Sequence, residues 1–232
     1  VVTMTGDGVN DAPAIKEADV GVSMGISGTD VAKNSADVIL LDDNFATLVK
    51  AVQQGRCIYS NIRKFVRYLL SCNIGEVLTM FIGIVAGLPI VLLPSQLLLV
   101  NLITDGLPAV ALSVEPPEKS NMKKPPRSRQ ESFFSNGLMS KIVVRGILIG
   151  VCTLGSFISI YRLGGNLELS RTCALVTLVM SQLVHVFECK SEDKNIFTVE
   201  YFNNYKLILA VLTSLIIITL SIYYPPLMLV FN

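Results

Sequence analysis

The spacing of apolar positions changes character once along this chain, near residue 56. Before that point apolar residues come in short clusters separated by Gly, Asp and Asn. Val1–Thr5 is a β-branched run ending in Gly6-Asp7-Gly8, Ala12–Ala18 has helical spacing with Pro13 tolerated in a first turn, and Asp19–Met24 is again strand-like. Gly28-Thr29 precedes a helical stretch over Asp30–Ser35, and Asp37–Leu41 reads as a third strand. Asn44 is placed to cap a helix from Phe45 to Gln54. Repeated strand–helix units predict a parallel sheet covered by helices, with ligands at the carboxyl ends of strands, where Asp7 lies.

After residue 56 the apolar runs lengthen to membrane dimensions. Spans are predicted at roughly 65–87, 90–112, 142–161, 171–188 and 207–224. A hydrocarbon core of about 30 Å needs about 20 helical residues. A short turn at Gly87-Leu88-Pro89 makes the first two spans antiparallel neighbours. The fold class expected is therefore mixed: a partial α/β segment over 1–55, a connecting stretch over 56–64, and an α-helical transmembrane bundle over 65–232. The stretch from Phe45 to Gly87 is helix-compatible with Gly55 as an interior break, so one long stalk helix is also consistent with the pattern.

Composition supports this division. Hydrophobic residues make up 51% and charged residues 16%, the latter below the roughly 25% of soluble domains. A net charge of +1 gives no electrostatic argument for a nucleic-acid partner; the lipid bilayer is the partner implied. The five cysteines show no Cys-x-x-Cys spacing and read as small buried hydrophobes. The loop 113–141 carries Lys119, Lys123, Lys124, Arg127, Arg129 and Lys141, whereas the loop near 162–170 contributes mainly Arg162. The excess of positive charge places 113–141, and with it residues 1–64, in the cytosol. Lys190, Lys194 and Lys206 fall on that same side. Arg56, Arg63, Lys64 and Arg67 read first as contacts to anionic headgroups and second as part of a stalk. Val1-Val2-Thr3 reads as the middle of a strand, so the chain is expected to be part of a longer protein.

Charged groups inside lipid are costly, about 2.5–3.5 kcal/mol for Asp at a helix centre on insertion scales, and generally face an ion path or a protein interior. Asn101, Thr104 and Asp105 stand at i, i+3 and i+4 in the second span, and Asn73 and Glu76 at i, i+3 in the first. Two helices that offer oxygen toward one point suggest a hard-cation site. Gly106 and Pro108 are expected to unwind the helix beside Asp105. His185 reads as a packed residue at the end of its span. In the first fifty residues, Thr5-Gly6-Asp7-Gly8-Val9-Asn10-Asp11-Ala12-Pro13 is the most specific string. Asp7 and Asp11, four residues apart at a strand end, can hold Mg²⁺ against a phosphate, with Asn10 donating to a phosphoryl oxygen and Gly6 and Gly8 allowing close approach.

The stretch from TGDGVNDAPAIKEADVGVSMG to LLDDNFATLV resembles the C-terminal part of the phosphorylation domain of P-type cation ATPases. SCNIGEV, LLLVNLITDGLPAVALSVEPPEK and KKPPRS resemble the calcium-transporting branch, which includes the sarco/endoplasmic reticulum pumps and bacterial relatives. The resemblance covers nearly the whole chain. It implies a haloacid-dehalogenase-like (Rossmannoid) cytosolic domain, represented in part, and the fifth to ninth of ten membrane helices. It implies that Asp7 binds Mg²⁺ and that Asn10 and Asp11 help arrange the phosphoryl group. Asn73, Glu76, Asn101, Thr104 and Asp105 resemble the family's calcium ligands, and Glu188 stands near the place of an eighth-helix glutamate. ATP, Mg²⁺ and transported Ca²⁺ are the implied cofactors and cargo, with H⁺ returning on the carboxylates. The compact loops point to a bacterial plasma membrane, with an endomembrane as the alternative in a eukaryote.

The sequence contains no DKTGT acceptor segment, no TGES segment and no nucleotide-binding domain. The chain alone is therefore expected not to hydrolyse ATP. The competing readings are a P-type pump for another cation such as Na⁺, and a non-pumping remnant that kept the fold.

Overall fold

The computed structural model describes residues 1–118, 121–128, 130–191, 198 and 200–226. Lys119, Arg129 and Lys194 of the basic loops, and the chain end from Leu227, lie outside the described residues. The chain divides into two compact units, Val1–Cys57 with the short turn Asn121–Lys123, and the remainder from Ile58 onward.

In the first unit three short strands, β1 (Thr3–Gly6), β2 (Val20–Met24) and β3 (Val38–Leu40), form a parallel sheet in the order β1-β2-β3. Thr3 pairs with Val20, and Val22 with Val38. Helices α1 (Ala12–Glu17) and α2 (Asp30–Ser35) pack on β2 and on each other. Ile15, Val22 and Ala32 are fully buried between these layers. Thr29 caps α2 by accepting from the Ala32 amide at 3.4 Å.

Helix α3 (Phe45–Val85) is continuous over 41 residues. Asn44 caps it through a 2.9 Å bond from the Ala46 amide. It is followed by α4 (Pro94–Ser113), α5 (Leu138–Arg162), α6 (Leu167–Glu188) and α7 (Tyr205–Tyr223). These five helices are long and apolar enough to cross a membrane. The second helix starts four residues later than its predicted span. Residues 86–93 form the connection, with Val91 and Leu92 buried, and Pro94 opens α4 while the Gln96 side chain accepts from the Leu93 amide at 3.0 Å.

The basic cluster corrects the headgroup reading. Arg63, Lys64 and Arg67 are buried and spend their charge inside the protein. Arg63 donates to the carbonyls of Phe133 and Ser135, Lys64 lies 3.2 Å from Glu118, and Arg67 lies 3.6 Å from Glu188. A second internal pair joins Lys190 to Glu115 at 3.1 Å, with Asn204 donating to the same carboxylate at 2.7 Å and Asn61 to the Glu115 carbonyl at 2.7 Å. These extra bonds satisfy the groups that burial would otherwise strand.

Candidate functional sites

A buried polar cluster inside the helical unit is built by α3, α4 and α6. Glycine sets the position of α3. A Cβ on Gly75 would lie 2.7 Å from Ile149, and one on Gly146 would lie 2.5 Å from Ile74, so α3 and α5 meet where neither has a side chain. Glu76, the next residue, is buried.

Helix α4 reaches the same point through a widened turn. Val100–Thr104 is π-helical, and the Asp105 amide donates to the Val100 carbonyl, five residues back, at 2.8 Å. The helix does not unwind as expected: α-helix resumes at Gly106. Pro108, having no N–H, leaves the Thr104 carbonyl without its usual donor. Asp105 and Thr104 are fully buried here.

Side chains from three helices close the cluster. Asn101 Nδ2 donates to Glu76 Oε2 at 2.8 Å, and Tyr68 Oη donates to Asp105 Oδ1 at 3.0 Å. Gln182 Nε2, from α6, donates to both Glu76 Oε1 (2.9 Å) and Asp105 Oδ2 (3.2 Å). One nitrogen thus bridges two carboxylates. The opposite atom of that amide, Gln182 Oε1, is buried with no hydrogen-bond partner among the described residues. A stranded buried acceptor is costly, and here it marks a place for a donor or a cation.

The expected residues divide around this point. Glu76, Asn101 and Asp105 are brought together. Thr104 is adjacent, but its Oγ1 bonds to the Val100 carbonyl at 2.9 Å. Asn73 is exposed and donates to the Leu69 carbonyl at 2.8 Å. Glu188 is not part of the cluster: it pairs with Arg145, Arg67 and His185. Tyr68 and Gln182 escaped the sequence reading. The available signal was an uncharged amide at Gln182 inside the predicted span 171–188.

The strand-end site lies in the other unit. Asp7 follows β1 and is exposed, and its carboxylate makes no hydrogen bond or ion pair among the described residues. Asn10 is also exposed. Asp11 has a different occupation: its Oδ2 accepts from the amides of Asp7 (3.1 Å) and Gly8 (3.0 Å). These bonds, the Gly8 amide first, hold its pKa below the usual carboxylate value. Gly6 makes room for Asp11, since a Cβ there would lie 2.5 Å from the Asp11 Cβ. A Cβ on Gly8 would lie 3.4 Å from Asp11 Oδ2, an ordinary contact.

Asp43, also unforeseen, gathers the loop after β2. Its carboxylate accepts from the amides of Gly25 (2.7 Å), Ile26 (2.9 Å) and Ser27 (2.7 Å). The Ile26 amide leads in drawing its pKa down to about 2. The Thr29 amide then donates to the Asp7 carbonyl at 2.8 Å, tying that loop to the end of β1.

Residues 89–232 match the family model described as cation transporting ATPase, C-terminus. This chain belongs to the cation-transporting ATPase family. Its relatives share far more than a fold. A calcium-transporting ATPase of Bacillus subtilis is 53% identical over 233 residues, which cover all of this chain and 26% of the relative. Calcium-transporting ATPase 1 of Bacillus cereus is 45% identical, again across the whole chain and 28% of the relative. An endoplasmic reticulum-type calcium-transporting ATPase of Arabidopsis thaliana is 50% identical over 192 residues, covering 82% of this chain and 18% of that protein. The chain thus spans about a quarter of the length of the two bacterial relatives. With the five membrane-length helices, membership makes it a multi-pass membrane chain.

Proposed function

We propose that this chain is the ion-binding part, and a portion of the phosphorylation domain, of a P-type Ca²⁺ pump. The carrying observation is the Glu76–Gln182–Asp105 bridge, two buried carboxylates sharing one amide nitrogen inside a membrane bundle. Two carboxylates balance one divalent charge, and the amides of Asn101 and Gln182 and the freed Thr104 carbonyl add neutral oxygens. Ca²⁺ takes six to eight oxygens at about 2.3–2.6 Å. Rotating the Gln182 amide by half a turn would exchange Nε2 for Oε1 and turn a carboxylate bridge into a cation ligand. Asn73, one turn before Glu76, stays a candidate ligand toward a helix of the longer pump. On the return stroke, H⁺ would travel on Glu76 and Asp105.

The parallel sheet of the first unit would belong to a haloacid-dehalogenase-like domain, with residues 1–64 and the 113–141 loop in the cytosol. Asp7 fits a Mg²⁺ ligand, because its carboxylate is exposed and uncommitted. The ion, when bound, neutralises phosphoryl charge. Asn10, exposed close by, would donate to a phosphoryl oxygen, while Asp11 keeps the two amides of the loop in line. ATP and the acceptor carboxylate would come from the rest of the pump. A Na⁺ pump is the competing reading. A dicarboxylate with several neutral oxygens matches a divalent cation better, and the two bacterial relatives, 53% and 45% identical to this chain, are named as calcium-transporting ATPases.

The test is transport by the full-length pump in sealed vesicles. ATP should drive Ca²⁺ accumulation, and Asp105→Asn should abolish it together with Ca²⁺-dependent phosphorylation by ATP. Phosphorylation by inorganic phosphate should survive, because it relies on the strand-end site. Undiminished Ca²⁺ uptake in Asp105→Asn, or Na⁺ uptake with no response to Ca²⁺, would overturn the proposal.

A further inference from the structure

Between α5 and α6 lies a cleft of about 320 Å³, within the about 300–1,000 Å³ range of small-molecule sites. One stripe of each helix lines it. Arg145, Leu148, Ile149 and Cys152 come from α5, and Glu188, His185, Val184, Ser181 and Met180 from α6. Both stripes run from charged to mostly apolar in the same direction along the helices. Arg145 stands seven residues inside α5, about 10 Å from its start, and Glu188 ends α6, so the charged end lies at interfacial depth. The other end runs toward the middle of the span, where Leu148, Met180 and Val184 are exposed around the opening.

The charged end carries surplus positive charge. Arg145 and Arg67 both reach the single carboxylate of Glu188. The Arg145 side chain is 38% exposed beside the cleft, so part of its fork faces outward. An anion bearing an acyl chain matches this gradient: the phosphate meets the guanidinium and the chain follows Ile149, Cys152 and Met180. We propose that this cleft binds one anionic phospholipid, its phosphate at Arg145 and an acyl chain between α5 and α6. The site does not depend on which ion is carried. It gives the pump a contact with the charge of the surrounding leaflet, next to the His185–Glu188 end of the helix that bears Gln182.

The experiment uses the full-length pump in phosphatidylcholine bilayers that contain a minor fraction of phosphatidylglycerol with a photoreactive acyl chain. After illumination, labelled peptides are mapped by mass spectrometry. Adducts are expected within Leu148–Cys152 and Met180–Val184. Arg145→Gln should reduce them about fivefold, the effect of one basic residue at a membrane surface. Cys152→Phe should reduce them by filling the apolar end while leaving the Arg145–Glu188 pair in place, so loss of folding in one variant does not decide the result. Excess inorganic phosphate should leave labelling unchanged. Equal labelling by photoreactive phosphatidylcholine, labelling undiminished in both variants, displacement by inorganic phosphate, or no adduct in either segment would each overturn the assignment.

Discussion

The strand-end carboxylates and the membrane-embedded carboxylates are held by different means. At the end of β1, order comes from the backbone: Asp11 fixes two amides, Asp43 fixes three, and Asp7 is left exposed between them. Inside the bundle, order comes from side chains: Tyr68, Asn101 and Gln182 hold Glu76 and Asp105. Backbone clamps suit a loop that must keep its shape while ligands exchange in water. Side-chain bridges suit a site whose polar groups must swap partners when an ion arrives, because rotating an amide is cheaper than moving a helix. The π-helical turn before Asp105 widens one helix without breaking the span, and the Asp105 amide keeps a partner in the Val100 carbonyl.

The largest expected effects separate the two sites. Asp7→Asn in the full-length pump should suppress phosphorylation from ATP and from inorganic phosphate alike, while Ca²⁺ still binds. Asp105→Asn should weaken Ca²⁺ binding about a hundredfold or more, since it unbalances a buried charged cluster. Equilibrium binding of radioactive Ca²⁺ alongside phosphoenzyme assays reads both. A variant that lost both activities at once would show that the sites are not independent in this sense.

A smaller effect is expected at Gln182. Gln182→Leu removes the bridge and its free oxygen, so Ca²⁺ affinity should fall about ten- to hundredfold, the range for hydrogen bonds to charged groups. Gln182→Glu should retain a ligating oxygen and bind Ca²⁺ better than the Leu variant. Equal affinities in the two would remove Gln182 from the site.

At the strand end, Asp11→Ala should loosen the loop without deleting a metal ligand. Faster hydrogen exchange at the amides of Asp7 and Gly8, with residual Mg²⁺-dependent phosphorylation, is the expected pattern. Complete loss of phosphorylation with unchanged exchange would return Asp11 to the metal.

The smallest effect concerns acid. The folded pKa of Asp43 is lowered to about 2 from an unfolded value near 3.8, so its contribution is present above about pH 4 and is lost as pH falls toward 2. Protection of the Gly25, Ile26 and Ser27 amides should fall in that window and be weak at neutral pH in Asp43→Ala. Protection independent of both changes would mean that the loop is held by other contacts.

Much of this was legible in the residues, for identifiable reasons. Strands and short helices before Phe45 follow from β-branched runs punctuated by Gly and Asp, and α2 matches its expected bounds of Asp30–Ser35. Glu76, Asn101 and Asp105 stood out because polar groups are rare in spans. Gln182 did not, because an uncharged amide among Ser and Thr is unremarkable until the rotation of α6 against α3 and α4 is known. Glu188 drew attention through its charge, yet it sits six residues further along, about 9 Å down the helix axis, among arginines. Asp11 shows a different limit: its spacing from Asp7 fits both a shared metal and a turn clamp, and the clamp becomes visible only in the loop geometry. The basic run at Arg63–Arg67 likewise resembles a headgroup anchor, but its partners, Phe133, Ser135, Glu118 and Glu188, lie far along the chain.

The central claim is that Ca²⁺ is held where Gln182 bridges Glu76 and Asp105. The most direct test compares density maps of the full-length pump with Ca²⁺ and with a Ca²⁺ chelator. The account predicts a peak about 2.3–2.6 Å from carboxylate oxygens of Glu76 and Asp105, with the Gln182 amide turned so that Oε1 faces the ion. A Ca²⁺ peak coordinated elsewhere, with the Gln182 bridge still intact beside it, would contradict the claim.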